Sequence, residues 1–207
     1  MPAIAKVPRA LYAKEDALPA RRKFGASQKE RLFFAALPPP DSRDAIQALA
    51  EAQKRACGFD GTLIRPEHLH VTLFHLGDWI ALPAELVAQA NEAAASVATA
   101  GFEVRFDKLA SFRNRTGVRP FVLSGPSEAW RPLRLALGQS LKQVGLGAAV
   151  HDLDDFTPHV TLLRDEKSAK ARKIDPITWR VQDFVLVQSL LGKTTHIHLG
   201  RWPLQAK

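Results

Sequence analysis

Apolar positions in this chain fall into short continuous runs separated by longer stretches with helical spacing. Leu32–Leu37 is a fully apolar run stopped by three consecutive prolines, Pro38–Pro40. It predicts a buried strand followed by a break, because proline cannot continue a ladder. Asp41 is the expected cap of a helix with Ile46, Leu49, Ala50 and Ala56 as its apolar stripe, and Gly58 lies just past its end. A strand is expected at roughly Leu69–Leu76. Pro83 opens a second helix whose face carries Leu86, Val87, Ala90, Ala94 and Val97. A strand from Phe102 to about Phe112 turns Phe102, Val104 and Phe106 inward.

The order then starts again. Phe121–Ser124 is a short apolar strand, and Ser127 is expected to cap a helix with Trp130, Leu133, Leu137, Leu141 and Val144 at helical spacing, ended by Gly145 and Gly147. FTPHVTLLRD enters another strand, and Val181–Leu190 and His196–Trp202 read as two closing strands. Strand, helix and strand thus run from Leu32 to Leu76 and again from Phe121 to Arg164. Neither half has enough strands to close a core alone. The expectation is a two-lobed α+β fold, with duplicated antiparallel sheets about a pseudo-twofold axis, helices on the outer faces and a central cleft.

Composition narrows this picture only a little. With 207 residues, 46% hydrophobic and 24% charged, the chain fits one globular domain. Residues 1–29 mix Pro, Ala and basic side chains, including Arg21, Arg22 and Lys23, without periodicity. They read as a basic N-terminal extension to a single domain over 30–207. The one cysteine, Cys57, excludes an internal disulfide and a multi-cysteine zinc site. The excess of 29 Lys and Arg over 21 Asp and Glu, a net charge of +8, favours polyanionic partners. No apolar run reaches the length of a membrane span.

Candidate chemistry sits in a repeated tetrapeptide. His-Val-Thr-Leu occurs at His70–Leu73 and again at His159–Leu162, at matching places in the repeat. On a strand, side chains two apart share a face, so each copy shows one imidazole and one hydroxyl to one side. Two such strands facing one cleft suit phosphodiester chemistry. A neutral histidine takes a proton from the attacking water, and a protonated one gives a proton to the leaving oxygen. Thr72 and Thr161 can hold the non-bridging oxygens. Arg164 is the next candidate on the phosphate, although in a regular strand it would lie on the opposite pleat to His159; only a bulge or the strand end turns it round. Its competing reading is a surface ion pair with Asp165 or Glu166. The basic segment with Phe112, Arg113, Arg115 and Arg119 suits single-stranded RNA.

The stretches RLFFAALPPP, PEHLHVTLFHLG and FTPHVTLLRD together resemble the two-histidine phosphoesterase superfamily, and more narrowly the RNA 2′,3′-cyclic phosphodiesterases, historically called 2′-5′ RNA ligases. The resemblance covers about Arg31 to Trp202. It implies hydrolysis of RNA 2′,3′-cyclic phosphate ends, such as those of tRNA fragments, to 2′-phosphates, with ATP-independent 2′-5′ joining as a companion activity. It also implies no metal. No cofactor is expected, and the protein is expected to be a cytoplasmic monomer without a membrane partner. Carried over, His70 protonates the leaving 3′ oxygen, His159 activates water, and Thr72, Thr161 and Arg164 hold the phosphate. Two positions depart from the family pattern. His75 stands where an aromatic, mostly Phe, follows the first motif histidine by five residues, and the strand before the second repeat helix reads FVLSG where Trp is common near its end. His75 therefore joins the RNA-binding candidates.

Three other readings compete. One is a phosphodiesterase acting on small nucleotide cyclic phosphates; another is a non-catalytic RNA-binding module. The third is a metal hydrolase using the pairs His68/His70 and His196/His198, which share strand faces but lack an acidic residue at a completing spacing. Otherwise His68, His196 and His198 are expected as exposed or hydrogen-bonded strand residues, and His151 as a loop partner of Asp152.

Overall fold

The structure, a computed structural model, describes residues 29–113, 117–151, 153 and 156–206. The first strand, β1 (Glu30–Ala36), is buried on both faces from Phe33 onward. Leu32, Phe34 and Ala36 join the main core, while Phe33 and Ala35 meet Val185 and Val187 on the other side of the sheet. The helix α1 (Pro40–Cys57) follows. Pro39 is its N-cap and Pro40 its first residue, so Asp41 lies in the first turn and makes no side-chain cap. Ile46 and Ala50 are buried, but Ala56 faces solvent. Gly58 ends the helix in the left-handed region at φ 61°, and the Phe59 N–H donates back to the Lys54 carbonyl.

The remaining elements are β2 (Val71–Trp79), α2 (Ala84–Ala95), β3 (Phe102–Ser111), β4 (Arg119–Ser124), α3 (Arg131–Gln143), β5 (His159–Asp165), β6 (Arg172–Val181), β7 (Asp183–Leu190) and β8 (Thr195–Pro203). Short 3-10 turns precede β2, α3 and β5. The turn Glu128–Trp130 separates Ser127 from α3, so Ser127 caps that turn's start without a side-chain bond. The strand β6 is an addition to the sequence expectation. It is an edge strand with mostly exposed side chains and Pro176 within it, and such a strand carries no apolar alternation.

All eight strands form one antiparallel sheet in the order β6-β3-β4-β5-β2-β1-β7-β8. Its middle is nearly split, because β2 and β5 pair only at Val71 and Val160. Outward from that joint the two lobes match strand for strand: β2 with β5, β1 with β4, β7 with β3, and β8 with β6. The expected pseudo-twofold α+β architecture is therefore present. The helices lie across the lobes: α1 rests on β5 and β6, and α2 on α3 and β8. The main core runs through both lobes around Trp130, Phe34, Phe106, Phe121 and Phe184. No helix among the described residues is long and apolar enough to cross a membrane. The expected extension lies outside the described residues, apart from Lys29.

Candidate active site

Both motif histidines are held by the same local device. The Nδ1–H of His70 donates to the His68 carbonyl at 2.6 Å, and the Nδ1–H of His159 donates to the Thr157 carbonyl at 2.8 Å. A carbonyl only accepts, so each bond places the proton on Nδ1 and leaves Nε2 as the working nitrogen of a neutral ring. The carbonyl is supplied by the chain's entry into the strand: the turn Pro66–His68 in one lobe, and the extended step before Pro158 in the other. Each imidazole also packs against a phenylalanine, His70 on Phe33 at 4.9 Å between ring centroids and His159 on Phe112 at 5.0 Å.

Strand register fixes what else faces the cleft. In the second lobe Ser124 pairs with His159, Val122 with Thr161 and Pro120 with Arg164. Residues 120, 122 and 124 share one face of β4, so His159, Thr161 and Arg164 share one face of β5. The odd spacing from Thr161 to Arg164 is absorbed by a bulge opposite Phe121 and Val122. That bulge turns Arg164 to the face that carries His159 and Thr161. The ion pair with Asp165 does not form. The Asp165 carboxylate instead accepts from the backbone N–H groups of Gly61 at 2.6 Å and Lys167 at 2.8 Å. The first lobe repeats the arrangement: Ala35 pairs with Thr72 and Phe33 with His75, across a bulge between them. Neither Thr72 nor Thr161 has a hydroxyl partner among the described residues.

A groove of about 310 Å³ opens between the lobes, lined by Thr72, Phe74, His75, Phe112, Thr157 and His159 among others. Beneath it the Arg134 guanidinium lies between the Phe74 and Phe156 rings, at 4.8 and 4.0 Å from their centroids. Arg113 is exposed beside Phe112. Arg119 points elsewhere: it alternates away from Arg164 and bonds the Glu166 carbonyl. Arg115 lies outside the described residues, as does the Asp152 expected to pair with His151.

The histidines outside the motif are not isolated surface residues. His196 on β8 stands 4.3 Å from the His68 ring and 5.6 Å from the His70 ring, with Phe33 edge-on at 5.7 Å. His68 sits in the turn before β2 rather than on a strand. The i, i+2 spacing of both pairs hinted at a shared face. What joins them is the β1-β7-β8 ladder, which brings β8 beside His70 from far along the chain. Among the described residues no group of three or more His, Cys, Asp or Glu is placed to hold a metal ion. The His196 ring is tilted 37° to His68 and stands edge-on to His70 at 70°.

Burial and the neighbouring charges of His159, Arg164 and His68 push His70 down to about 4, against the support of its bond to the His68 carbonyl. Burial and the same histidine cluster push His196 down to about 4. These values lie below the ~6.5 of an unfolded histidine, so the folded state binds fewer protons in between. Stability from the neutral rings is complete above about pH 6.5 and is lost as pH falls toward about 4. Asp78, lowered to about 2 by Arg31, titrates below this window. The thermal midpoint is therefore expected to drop between about pH 7 and about pH 4.5, and to drop less in His196→Phe. Equal drops in both proteins would show that the cluster does not carry the effect.

A family model of the 2′-5′ RNA ligase superfamily matches residues 38–201. The fold is similar to that of TT0787 of Thermus thermophilus, at TM-score 0.68 and 24% identity over 86% of this chain and 99% of that one. It is also similar to Escherichia coli LigT in apo form, at TM-score 0.61 and 26% identity over 86% and 99%. LigT complexed with 3′-AMP matches at TM-score 0.60 and 25% identity over the same shares. No curated protein matches the chain by sequence. With two imidazole–threonine strands related by its own internal symmetry and most of its length matched, the chain belongs to the 2′-5′ RNA ligase superfamily of phosphoesterases.

Proposed function

We propose that this protein hydrolyses RNA 2′,3′-cyclic phosphate ends to 2′-phosphates without a metal ion. The observation that carries the proposal is the symmetric fixing of His70 and His159 through Nδ1, each beside a threonine on the same face whose hydroxyl has no partner among the described residues. Two imidazoles oriented alike, and close enough that the charge of one acts on the other, can supply a base and an acid to one phosphorus atom. LigT has been solved complexed with 3′-AMP, which supports a nucleotide ligand for this chain.

In the reaction, water attacks phosphorus opposite the 3′ oxygen while Nε2 of His159 takes its proton. The bond from phosphorus to the 3′ oxygen breaks, and Nε2–H of His70 protonates that oxygen. The products are a 3′-hydroxyl and a 2′-monoester, and the two histidines have exchanged protonation states. Thr72, Thr161 and Arg164 hold the non-bridging oxygens, Arg164 as the permanent charge. Among the described residues no carboxylate acts on Arg164, and its charge reaches His70.

A low affinity of His70 for protons has a kinetic signature. The anionic phosphate restores the proton that burial and Arg164 remove, so His70 is a stronger base in the complex than in the free protein. kcat/KM, which reports the free protein, is expected to carry an ionisation near about 4, and kcat to carry the same ionisation at higher pH. A kcat/KM with no ionisation in that region would show that the lowered His70 takes no part in the proton transfers.

The direct test is a short RNA ending in a 2′,3′-cyclic phosphate, incubated with the purified chain in a chelator. The product should gain the mass of one water, become sensitive to phosphatase, and keep its phosphate on the 2′ oxygen. Absence of turnover sinks the reading, and turnover that needs an added divalent metal sinks its metal-free form. The groove beside His159 has room for about one nucleoside, so a cyclic mononucleotide is the second substrate to compare.

A further inference from the structure

The internal symmetry that pairs His70 with His159 and Thr72 with Thr161 also pairs His75 with Arg164. Each lies three residues after its threonine, past a matching bulge, on the cleft face. His75 is not left to wander there. Its Nε2–H donates to Asp78 Oδ1 at 3.0 Å. Asp78 is gripped in turn by Arg31, from Nε to one oxygen at 2.7 Å and from Nη2 to the other at 2.7 Å. Arg31 pairs with Asp78 across β1 and β2, on the face that carries Phe33 and His75. The imidazole is still 45% exposed, and it lines the groove with Thr72, Phe112 and His159.

Charge and reach say what this unit is suited to bind. Arg31 keeps Nη1 outside its two bonds to Asp78, and its charge acts on Arg164 across the cleft. Among the described residues one carboxylate, Asp78, is set against these two guanidiniums and an imidazole, so the rim favours an anion. The long Arg164 side chain can fold back to the phosphorus between the motif histidines, whereas a short imidazole cannot. The His75 backbone stands about two strand steps beyond Thr72, roughly 7 Å. That is close to one nucleotide of extended sugar-phosphate chain.

We propose that His75, oriented by Asp78 and Arg31, binds the phosphate one nucleotide upstream of the reacting one, on the 5′ oxygen of the terminal nucleoside. The proposal rests on the hydrolase reading for the reacting end and names its preferred substrate as an oligonucleotide end rather than a cyclic mononucleoside. When that phosphate arrives, the ring sits as an imidazolium between two anions, with Nε2–H on Asp78 and Nδ1–H on the phosphate. Asp78 and Arg31 act through the ring as positioning residues.

Equilibrium binding tests this without relying on turnover. Adenosine 2′-monophosphate and adenosine 2′,5′-bisphosphate are titrated into the full chain, into His75→Ala and into Asp78→Asn. The unaltered chain is expected to bind the bisphosphate about 10-fold more tightly. In His75→Ala that ratio should fall below about 3, with the affinity for the monophosphate held within about 3-fold, and Asp78→Asn should lie between. A ratio that survives His75→Ala, or an equal loss for both ligands, overturns the proposal. A hydrolysis arm compares adenosine 2′,3′-cyclic phosphate with and without a 5′-phosphate. Binding preference without turnover of either would remove the hydrolase reading and leave the subsite. Turnover with no 5′-phosphate preference in binding would do the reverse.

Discussion

Replacing His159 with alanine is expected to lower kcat on an RNA cyclic phosphate by about 10²–10⁴-fold, and His70→Ala by a similar factor. Each ring is held at Nδ1 by a backbone carbonyl two residues back, so neither finds the other's place when one is missing. Because the two act on one displacement, their losses should not add, and the double variant should fall little below the worse single one. His159→Ala removes a ring that stands against Phe112 at the cleft, and its thermal midpoint should stay close to that of the unaltered chain. His70→Ala also opens a gap beside Phe33 and His196, so its kinetics need a melting curve alongside. A single variant retaining near-normal kcat would remove the corresponding proton-transfer role.

The second large effect is expected at Gly61, a residue with no part in the chemistry. A Cβ there would lie 2.1 Å from the Arg164 carbonyl oxygen and 3.2 Å from an Asp165 carboxylate oxygen. The obstacle is backbone, so it cannot be relieved by a rotamer change. The Gly61 N–H also donates to Asp165 at 2.6 Å, and the same loop is tied down by Lys167, whose ammonium reaches Asp60 at 2.8 Å and the Gly58 carbonyl at 2.6 Å. Gly61→Ala must therefore push the end of β5 away or break this lock, at a cost of about 1–3 kcal/mol in stability. The displaced segment carries Arg164, so kcat/KM should fall by about 10–100-fold through the lost charge on the phosphate. Denaturant melts and kinetics on the same preparation check both halves. A variant of normal stability and normal kcat/KM would show that the loop yields freely and that Arg164 is not positioned by it.

The sequence made the duplication legible because the repeated strands carry both a chemical and an apolar signature. Val71 and Val160 face the core between their His and Thr neighbours, so the tetrapeptide marks a strand and a site together. Helix α3 was legible for a similar reason: Leu133, Leu137 and Leu141 are all buried at helical spacing. Strand β6 was not, since an edge strand covered on one side near its end leaves charged residues and a proline where a central strand would alternate. The histidine cluster and the His75–Asp78–Arg31 unit escaped for another reason. Each depends on the register of strands far apart in the chain, and on bulges that reverse which face a residue takes. Local pattern contains neither. The doubt about the direction of Arg164 came from counting a regular pleat through a position where the strand gains a residue.

The pairing of β1 with β7 sets an order of events for the growing polypeptide. Lobe one begins with the first described strand, yet its ladder continues through β7 and β8, which are made after all the other described strands. During synthesis Phe33 and Ala35 wait without Val185 and Val187, exposing apolar side chains until β7 is made. Lobe two is already complete by β6, because all four of its strands are contiguous in the chain between Phe102 and Val181. The lower-numbered histidine therefore acquires its finished surroundings after the higher-numbered one, and a chain cut short before β7 would carry a formed half-site with no partner wall.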